Sequence, residues 1–362
     1  MRVVLAVTGG GSTAIGDLLA VPGASRTVLE ASVPYSADAL IDYLGFQPDQ
    51  SCSETTARAL AMAAFERARH LSDDDPYRLA GVGCTASLAS DREKRGPHRV
   101  HVAVQTARGT QVASWQFNKQ RRSRADEEDR SAGLVLGAIA NIDRSDESPA
   151  VEFAPEFGER FATERVDVPP GDDSWSDLLL GSTERAASHF SSQEPSGQAV
   201  FPGAFNPLHD AHRQMVDLAG KHLGCPVVLE LSITNVDKPP LDFLDIRRRL
   251  LGCRDLPVWL TRAATFTEKA ALFPQAIFIV GADTIARVAD LNYYGDRQQR
   301  DAALASIAAS GCRFLVFGRL VEGKFCWLED LDLPPALRQL CEGIAEQAFR
   351  ADVSSSEIRE ET

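Results

Sequence analysis

Residues able to handle a polyphosphate gather in two places in the second half of the chain. The segment Phe201-Pro-Gly-Ala-Phe-Asn-Pro-Leu-His-Asp-Ala-His212 follows a short apolar strand and opens a helix. His209 and His212 are three apart, so both rings can lie on one face of that helix's first turn. Gly203 lets the backbone come close to a ligand, and the helix start adds free N–H groups and a positive dipole end. Near the end of the chain, Val353-Ser-Ser-Ser-Glu-Ile-Arg359 repeats the theme. Ser354 or Ser355 can cap a helix and offer a hydroxyl to phosphate, while Arg359 adds a planar, permanently charged fork. A metalloprotease histidine pair would need i, i+4 spacing with a glutamate between, and neither is present. The chemistry these groups suit is binding a triphosphate and stabilising charge as it builds at phosphorus.

Those residues need elements to hold them, and the second half supplies a regular alternation. Strands are expected at 199–201, 227–233, 258–261, 277–280 and 313–317. Helices are expected at 211–223, 245–252, 267–272, 284–291 and 297–310. Short apolar strands alternating with helices imply a parallel sheet covered on both faces, and such sheets bind ligands at the carboxyl ends of their strands. In the first half, Val3–Val7 reads as a strand running into Thr8-Gly-Gly-Gly-Ser12, with a Ser53-capped helix over 53–71. Strands at 100–104 and 112–117 and a helix at 126–142 follow. From Asp143 to Gly197 the chain turns acidic and rich in Ser and Pro, which reads as a linker with a packed helix over Trp175–Phe190 or, alternatively, as a plain solvated spacer.

At 362 residues the chain is sized for about two domains. Its formal charge of -13 argues against a nucleic-acid partner, yet a locally positive pocket remains compatible with anionic small substrates. The seven cysteines are scattered and never form a C-x-x-C pair, which points to reduced thiols and a cytoplasmic location. No run is apolar for long enough to span a bilayer, so no membrane partner is expected.

The second half resembles the nucleotidylyltransferase superfamily. Its histidine signature stands here as Gly203-Ala-Phe205-Asn-Pro207-Leu-His209-Asp-Ala-His212, and its closing motif as Ser354-Ser-Ser-Glu-Ile-Arg359. Gly281-Ala-Asp-Thr284 and Val316-Phe-Gly-Arg319 resemble the nicotinamide and nicotinate mononucleotide adenylyltransferase branch. Ala211 replaces the usual glycine between the histidines, and Ser356 replaces a threonine. The resemblance implies a Rossmann-like fold and transfer of a nucleotide from ATP to a phosphorylated small molecule, with magnesium carried in on the triphosphate and no resident metal. It assigns His209, His212, Lys238 and Arg359 to catalysis. Nucleotide binding falls to Gly203, Phe205, Asn206, Gly281, Asp283, Arg319, Ser355 and Ser356. Lys238 would hold the acceptor phosphate. Alternatives are a phosphopantetheine-like acceptor, CTP as donor, or a nucleotide-sensing scaffold without turnover.

The first half resembles the CinA C-terminal domain, a family that includes nicotinamide-nucleotide amidohydrolases. The stretches that carry this are Thr8-Gly-Gly10, Leu19-Ala-Val-Pro-Gly-Ala-Ser25, Val33-Pro-Tyr-Ser36 and Ser53-Glu-Thr-Thr-Ala57. The family's nucleophilic serine falls on Ala6 and its lysine on Leu40, so amide hydrolysis is not expected; Thr8 or Ser12 could stand in only with an activating base. The expected organisation is an α/β CinA-like domain over 1–143, an acidic linker over 144–196 and a Rossmann-like transferase domain over 197–362. Homo-oligomerisation through the first domain is a further expectation.

Overall fold

A computed structural model describes residues 1–92, 94–119, 121–142, 159–168, 173–188, 196–235, 238–321, 324–345 and 349. The chain is α/β and divides into two compact units, one of Met1–Leu180 with Asp237–Ile246, the other of Gly181–Val236 with Arg247–Thr362.

The first unit carries β1 (Arg2–Thr8), α1 (Thr13–Leu19), β2 (Val28–Ser32), α2 (Ala37–Leu44), α3 (Glu54–Leu71), β3 (Leu79–Ser87), β4 (His98–Thr106), β5 (Gly109–Phe117), α4 (Arg124–Ala140), β6 (Arg160–Asp167) and α5 (Ser174–Leu180). Its sheet runs β2-β1-β3-β4-β5-β6. β2, β1 and β3 are parallel, and the remaining pairs are antiparallel. Period-two alternation sends Ala80, Val82, Cys84 and Ala86 of β3 into a core shared with Ala14, Leu134 and Val135 of α1 and α4. Gly81 and Gly83 point the other way. A Cβ on Gly81 would lie 2.0 Å from the Ala61 carbonyl oxygen of α3, and one on Gly83 2.2 Å from that of Ala57. The glycines and the alanine stripe of α3 therefore let helix backbone rest directly on the sheet. Ser53 caps α3 as expected, its Oγ accepting from the Thr56 amide at 3.1 Å.

The second unit carries β7 (Arg185–Ala187), β8 (Ala199–Pro202), α6 (Asp210–Leu223), β9 (Val227–Ser232), most of α7 (Phe243–Gly252), β10 (Val258–Thr261), α8 (Phe266–Leu272), β11 (Ile277–Gly281), α9 (Ala282–Ala289), α10 (Arg297–Ala309), β12 (Arg313–Phe317), the small hairpin of β13 (Arg319–Val321) and β14 (Lys324–Cys326), α11 (Pro335–Arg338) and β15 (Cys341–Ile344). The sheet order is β15-β12-β11-β8-β9-β10-β7, parallel except for the β7 edge. From β8 the chain builds outward through β9 and β10, then returns and builds the opposite way through β11, β12 and β15. The order reverses between β8 and β11, and a crevice at such a reversal is where open parallel sheets take ligands.

Two expectations change in the segment read as a linker. The helix expected over Trp175–Phe190 stops at Leu180, because Gly181 adopts φ 81°, a left-handed conformation that ends helices. Arg185–Ala187 then pairs antiparallel with β10. Upstream, Arg160–Asp167 of the same segment is a strand paired with β5 without a break in register.

Candidate functional site

β8 delivers the histidine loop to the carboxyl edge of the sheet beside that reversal. The Gly203 amide donates to the Glu230 carbonyl at 3.0 Å, so strand pairing with β9 persists to the loop's first residue. A Cβ at Gly203 would sit 2.6 Å from the Phe205 ring. Phe205 holds φ 44° and is almost wholly buried, and a cis Asn206–Pro207 bond follows it. Its ring meets Phe201 edge-on at 5.6 Å and His212 edge-on at 5.6 Å. The aromatic residue of the signature is thus a wedge that fixes where the second histidine stands. Asn206 is exposed at the surface of the same loop.

His209 is the N-cap residue of α6, and its ring stacks on that of His212 with centroids 3.7 Å apart and planes 25° from parallel. The His209 amide donates to His212 Nδ1 at 3.3 Å. A ring that accepts at Nδ1 carries its proton on Nε2, so His212 offers an N–H at the far side of the imidazole. Burial, the neighbouring His209 and the Arg319 guanidinium together push His212 down to about 4. Burial and Arg319 also lower His209, with Asp210 working against them. Both rings are thus shifted toward the neutral form, and His212 presents its Nε2–H, while the neighbouring cation is Arg319, itself paired with Asp283.

Arg319 follows β12 and reaches back to Asp283, in the first turn of α9, with Nη1 to Oδ2 at 2.7 Å. Gly281 is the N-cap of α9, and a Cβ there would lie 2.5 Å from Asp283 Oδ1. The structure so joins Gly203, Phe205, His209, His212, Gly281, Asp283 and Arg319 within the second unit, on the loops after β8, β11 and β12. It also supplies a residue the sequence reading passed over: Arg249 of α7 donates to the Ala204 carbonyl at 2.9 Å and pins the histidine loop from the side. The Arg247-Arg-Arg249 run was visible, but which of the three would face the loop depends on how α7 is rotated.

The other expected site residues fall elsewhere. Lys238 belongs to the first unit, where its Nζ lies 5.0 Å over the Phe46 ring. Ser354, Ser355, Ser356 and Arg359 lie outside the described residues. Among the described residues, no group of three His, Cys, Asp or Glu side chains could hold a metal ion, and no helix is long and apolar enough to cross a membrane.

In the first unit the two positions where the resemblance calls for serine and lysine meet. Ala6 and Leu40 are both buried, and they pack together with Leu44 and Leu60 in one apolar cluster. Ser12 does have a carboxylate beside it, since its Oγ donates to Glu128 Oε1 at 3.0 Å. That carboxylate also accepts from the Gly11 amide at 2.9 Å and the Thr13 amide at 3.1 Å. Burial pushes Glu128 up, but these hydrogen bonds outweigh it and leave the group lowered. The glycine-rich turn is thus closed on an internal anion, which accepts from the Gly11 and Thr13 amides and the Ser12 hydroxyl.

No protein-family profile matches the chain. Over 138 residues it is 30% identical to the "Putative nicotinamide mononucleotide adenylyltransferase" of Schizosaccharomyces pombe, a match taking in 34% of this chain and 54% of that protein. The chain thus spans about half the length of that relative. Among solved structures, the competence/damage inducible protein CihA from Agrobacterium tumefaciens is 20% identical, with 39% of this chain and 84% of that one covered and a TM-score of 0.32. The CinA superfamily protein from Enterobacter cloacae is 16% identical over 39% and 81% of the two chains, with a TM-score of 0.33. A competence or damage-inducible protein from Enterobacter asburiae gives 16%, 39%, 86% and 0.32 for the same quantities.

Proposed function

We propose that the second unit is a nucleotidylyltransferase that joins the adenylyl group of ATP to nicotinamide or nicotinate mononucleotide. The observation that carries this reading is the stacked His209–His212 pair at the start of α6, beside the strand-order reversal, with Arg319 close enough to depress both rings. A phosphate monoester oxygen of the acceptor attacks the α-phosphorus. The bond from that phosphorus to the oxygen bridging to the β-phosphorus breaks, and pyrophosphate leaves with the electron pair. The nucleophile is already anionic near neutral pH, so no general base is needed, and catalysis is positioning and charge stabilisation. His212 Nε2–H and the α6 N-terminus serve the phosphoryl oxygens, and Arg319 serves the triphosphate. Magnesium arrives with the triphosphate as part of the substrate. Lys238 takes the acceptor phosphate, and Ser355, Ser356 and Arg359 take the β- and γ-phosphates. The name of the Schizosaccharomyces pombe relative supports the pyridine mononucleotide as acceptor.

The test is a matrix of nucleoside triphosphates against phosphorylated acceptors, each with magnesium, read as pyrophosphate release. ATP with a pyridine mononucleotide should give dinucleotide. Product only with CTP or with phosphopantetheine would move the reaction to another branch of the same chemistry. Saturable nucleotide binding without turnover would make the chain a sensor.

A further inference from the structure

The histidine loop holds a backbone conformation that its own residues disfavour. Phe205 keeps φ 44°, in the left-handed region that a bulky side chain seldom enters, and its ring folds back to 2.6 Å from where a Cβ on Gly203 would stand. Such a residue persists only where its surroundings fix it more than once. Contacts from the end of α7 supply this, all inside the second unit. Arg249 donates from Nη1 to the Ala204 carbonyl at 2.9 Å. Gly252, three residues on and so on the same face of the helix, lies against Leu208 of the loop; a Cβ there would meet Leu208 Cβ at 3.9 Å. The Gly252 carbonyl accepts from Arg213 Nη2 at 3.2 Å, and Arg213, the residue after His212 in α6, is held by Asp255 as well. Leu250 and Cys253, both buried, set the rotation that turns Arg249 and Gly252 toward the loop.

The Arg249 contact acts on the strained torsion itself. The Ala204 carbonyl belongs to the rigid peptide plane that joins Ala204 to Phe205, and turning that plane changes φ of Phe205. A donor fixed on the carbonyl oxygen therefore resists relaxation of Phe205 toward negative φ. The Phe205 ring follows its backbone, and it meets Phe201 and His212 edge-on, each at 5.6 Å. His212 in turn stacks on His209 at 3.7 Å. Relaxation at Phe205 would thus withdraw the ring that walls one side of His212. A planar guanidinium holds a helix to a loop carbonyl in a defined direction, which the freely turning ammonium of a lysine does not.

We infer that Arg249 is a positioning residue for the His209–His212 pair, holding the Ala204–Phe205 peptide so that the Phe205 ring keeps His212 stacked on His209. The kinetic half of this rests on the transferase reading above; the geometric half does not. Arg249 acts through the loop backbone and not on the phosphates.

The experiment compares the full chain as wild type, Arg249→Leu, Arg249→Lys, Phe205→Leu and the double variant of Arg249→Leu with Phe205→Leu. Imidazole proton signals, assigned by their loss in His209→Gln and His212→Gln, read the stack directly, because neighbouring rings shift them. In Arg249→Leu the His209 and His212 signals should move toward that of the exposed His70. With magnesium ATP and nicotinamide mononucleotide, kcat and kcat/KM for ATP should fall together by roughly ten- to hundredfold, the mark of placement lost in the transition state. Arg249→Lys should not restore them, and the double variant should be no worse than Phe205→Leu alone. If Arg249→Leu fails to fold, Arg249→Gln, too short to reach the carbonyl from the same backbone, carries both readouts. Unchanged imidazole signals would overturn the positioning role, as would additive losses in the double variant. A rise in the ATP KM alone, restored by Arg249→Lys, would make Arg249 a direct phosphate contact and overturn it too. A wild type that releases no pyrophosphate with any acceptor sinks the transferase reading and the kinetic half, and the imidazole signals still decide the geometry.

Discussion

Lys269→Met isolates the one ion pair among the described residues of the second unit that is closed off from water on both sides. Glu230 of β9 is fully buried and Lys269 of α8 is 7% exposed. The ammonium spends its three protons on Glu230 Oε1 at 2.8 Å, Glu230 Oε2 at 2.7 Å and the Ala263 carbonyl at 2.8 Å. Thr261 donates its hydroxyl to the same carboxylate. Methionine keeps the apolar stem but removes the charge, so Glu230 is left buried with a single hydroxyl. Orphaning one member of such a pair costs about 3–5 kcal/mol. For a unit of this size each kcal/mol is worth roughly 2–4 °C, so the unfolding midpoint should drop by roughly 6–20 °C. Calorimetry can resolve the second unit's transition, and Trp259, on β10 directly beside Glu230 in the strand register, reports the same transition by fluorescence. Glu230→Leu with Lys269→Met should recover most of the loss, because an apolar pair of similar volume avoids desolvating two charges. A single variant within about 1 kcal/mol of wild type, or a double variant as unstable as the single, would refute the reasoning.

Other expectations test the site and the first unit. His212→Ala should cut pyrophosphate release by roughly a hundredfold with folding intact, the size expected for one preorganised transition-state contact; a loss below about fivefold would remove His212 from the chemistry. Because His212 is depressed to about 4 from an ordinary 6.5, the unfolded chain binds a proton that the folded chain refuses as pH falls through that window. Stability of the second unit should therefore be complete above pH 6.5 and decline toward pH 4, and His212→Asn should flatten that slope in urea titrations at pH 8, 6 and 5. An equal slope in the variant would assign the decline to other groups. Glu128→Ala removes the acceptor that gathers Gly11, Ser12 and Thr13, and should cost the first unit about 1–2 kcal/mol by denaturant unfolding. Gly81→Ala places a methyl 2.0 Å from the Ala61 carbonyl oxygen. The backbone of α3 must then move, so a loss of at least about 2–3 kcal/mol is expected, and a neutral result would contradict the close packing of α3 on β3.

Much of the site was legible because its information is local. The strand, glycine turn and helix start around Gly203–His212 sit within a dozen residues, and helical spacing alone puts His209 and His212 on one face. The same holds for the Ser53 cap, whose hydroxyl accepts from an amide only three residues away. Arg160–Asp167 misled because Arg160, Glu164, Arg165 and Asp167 dilute its apolar side chains, of which Phe161 packs against Trp115 and Val166 is buried.

Residue order thus determined which elements form and which groups each one displays, since those follow from periodicity, caps and turns a few residues long. Folding in three dimensions decided the rest. It set the sheet order that puts β8 beside β11, aimed Arg249 and Arg319, closed the Gly11–Thr13 turn on Glu128, and paired Arg58 with Asp242 and Asp245. Each of these joins residues dozens to nearly two hundred positions apart. Such pairings are selected by burial and charge compensation over a whole unit, quantities that no short stretch of sequence carries.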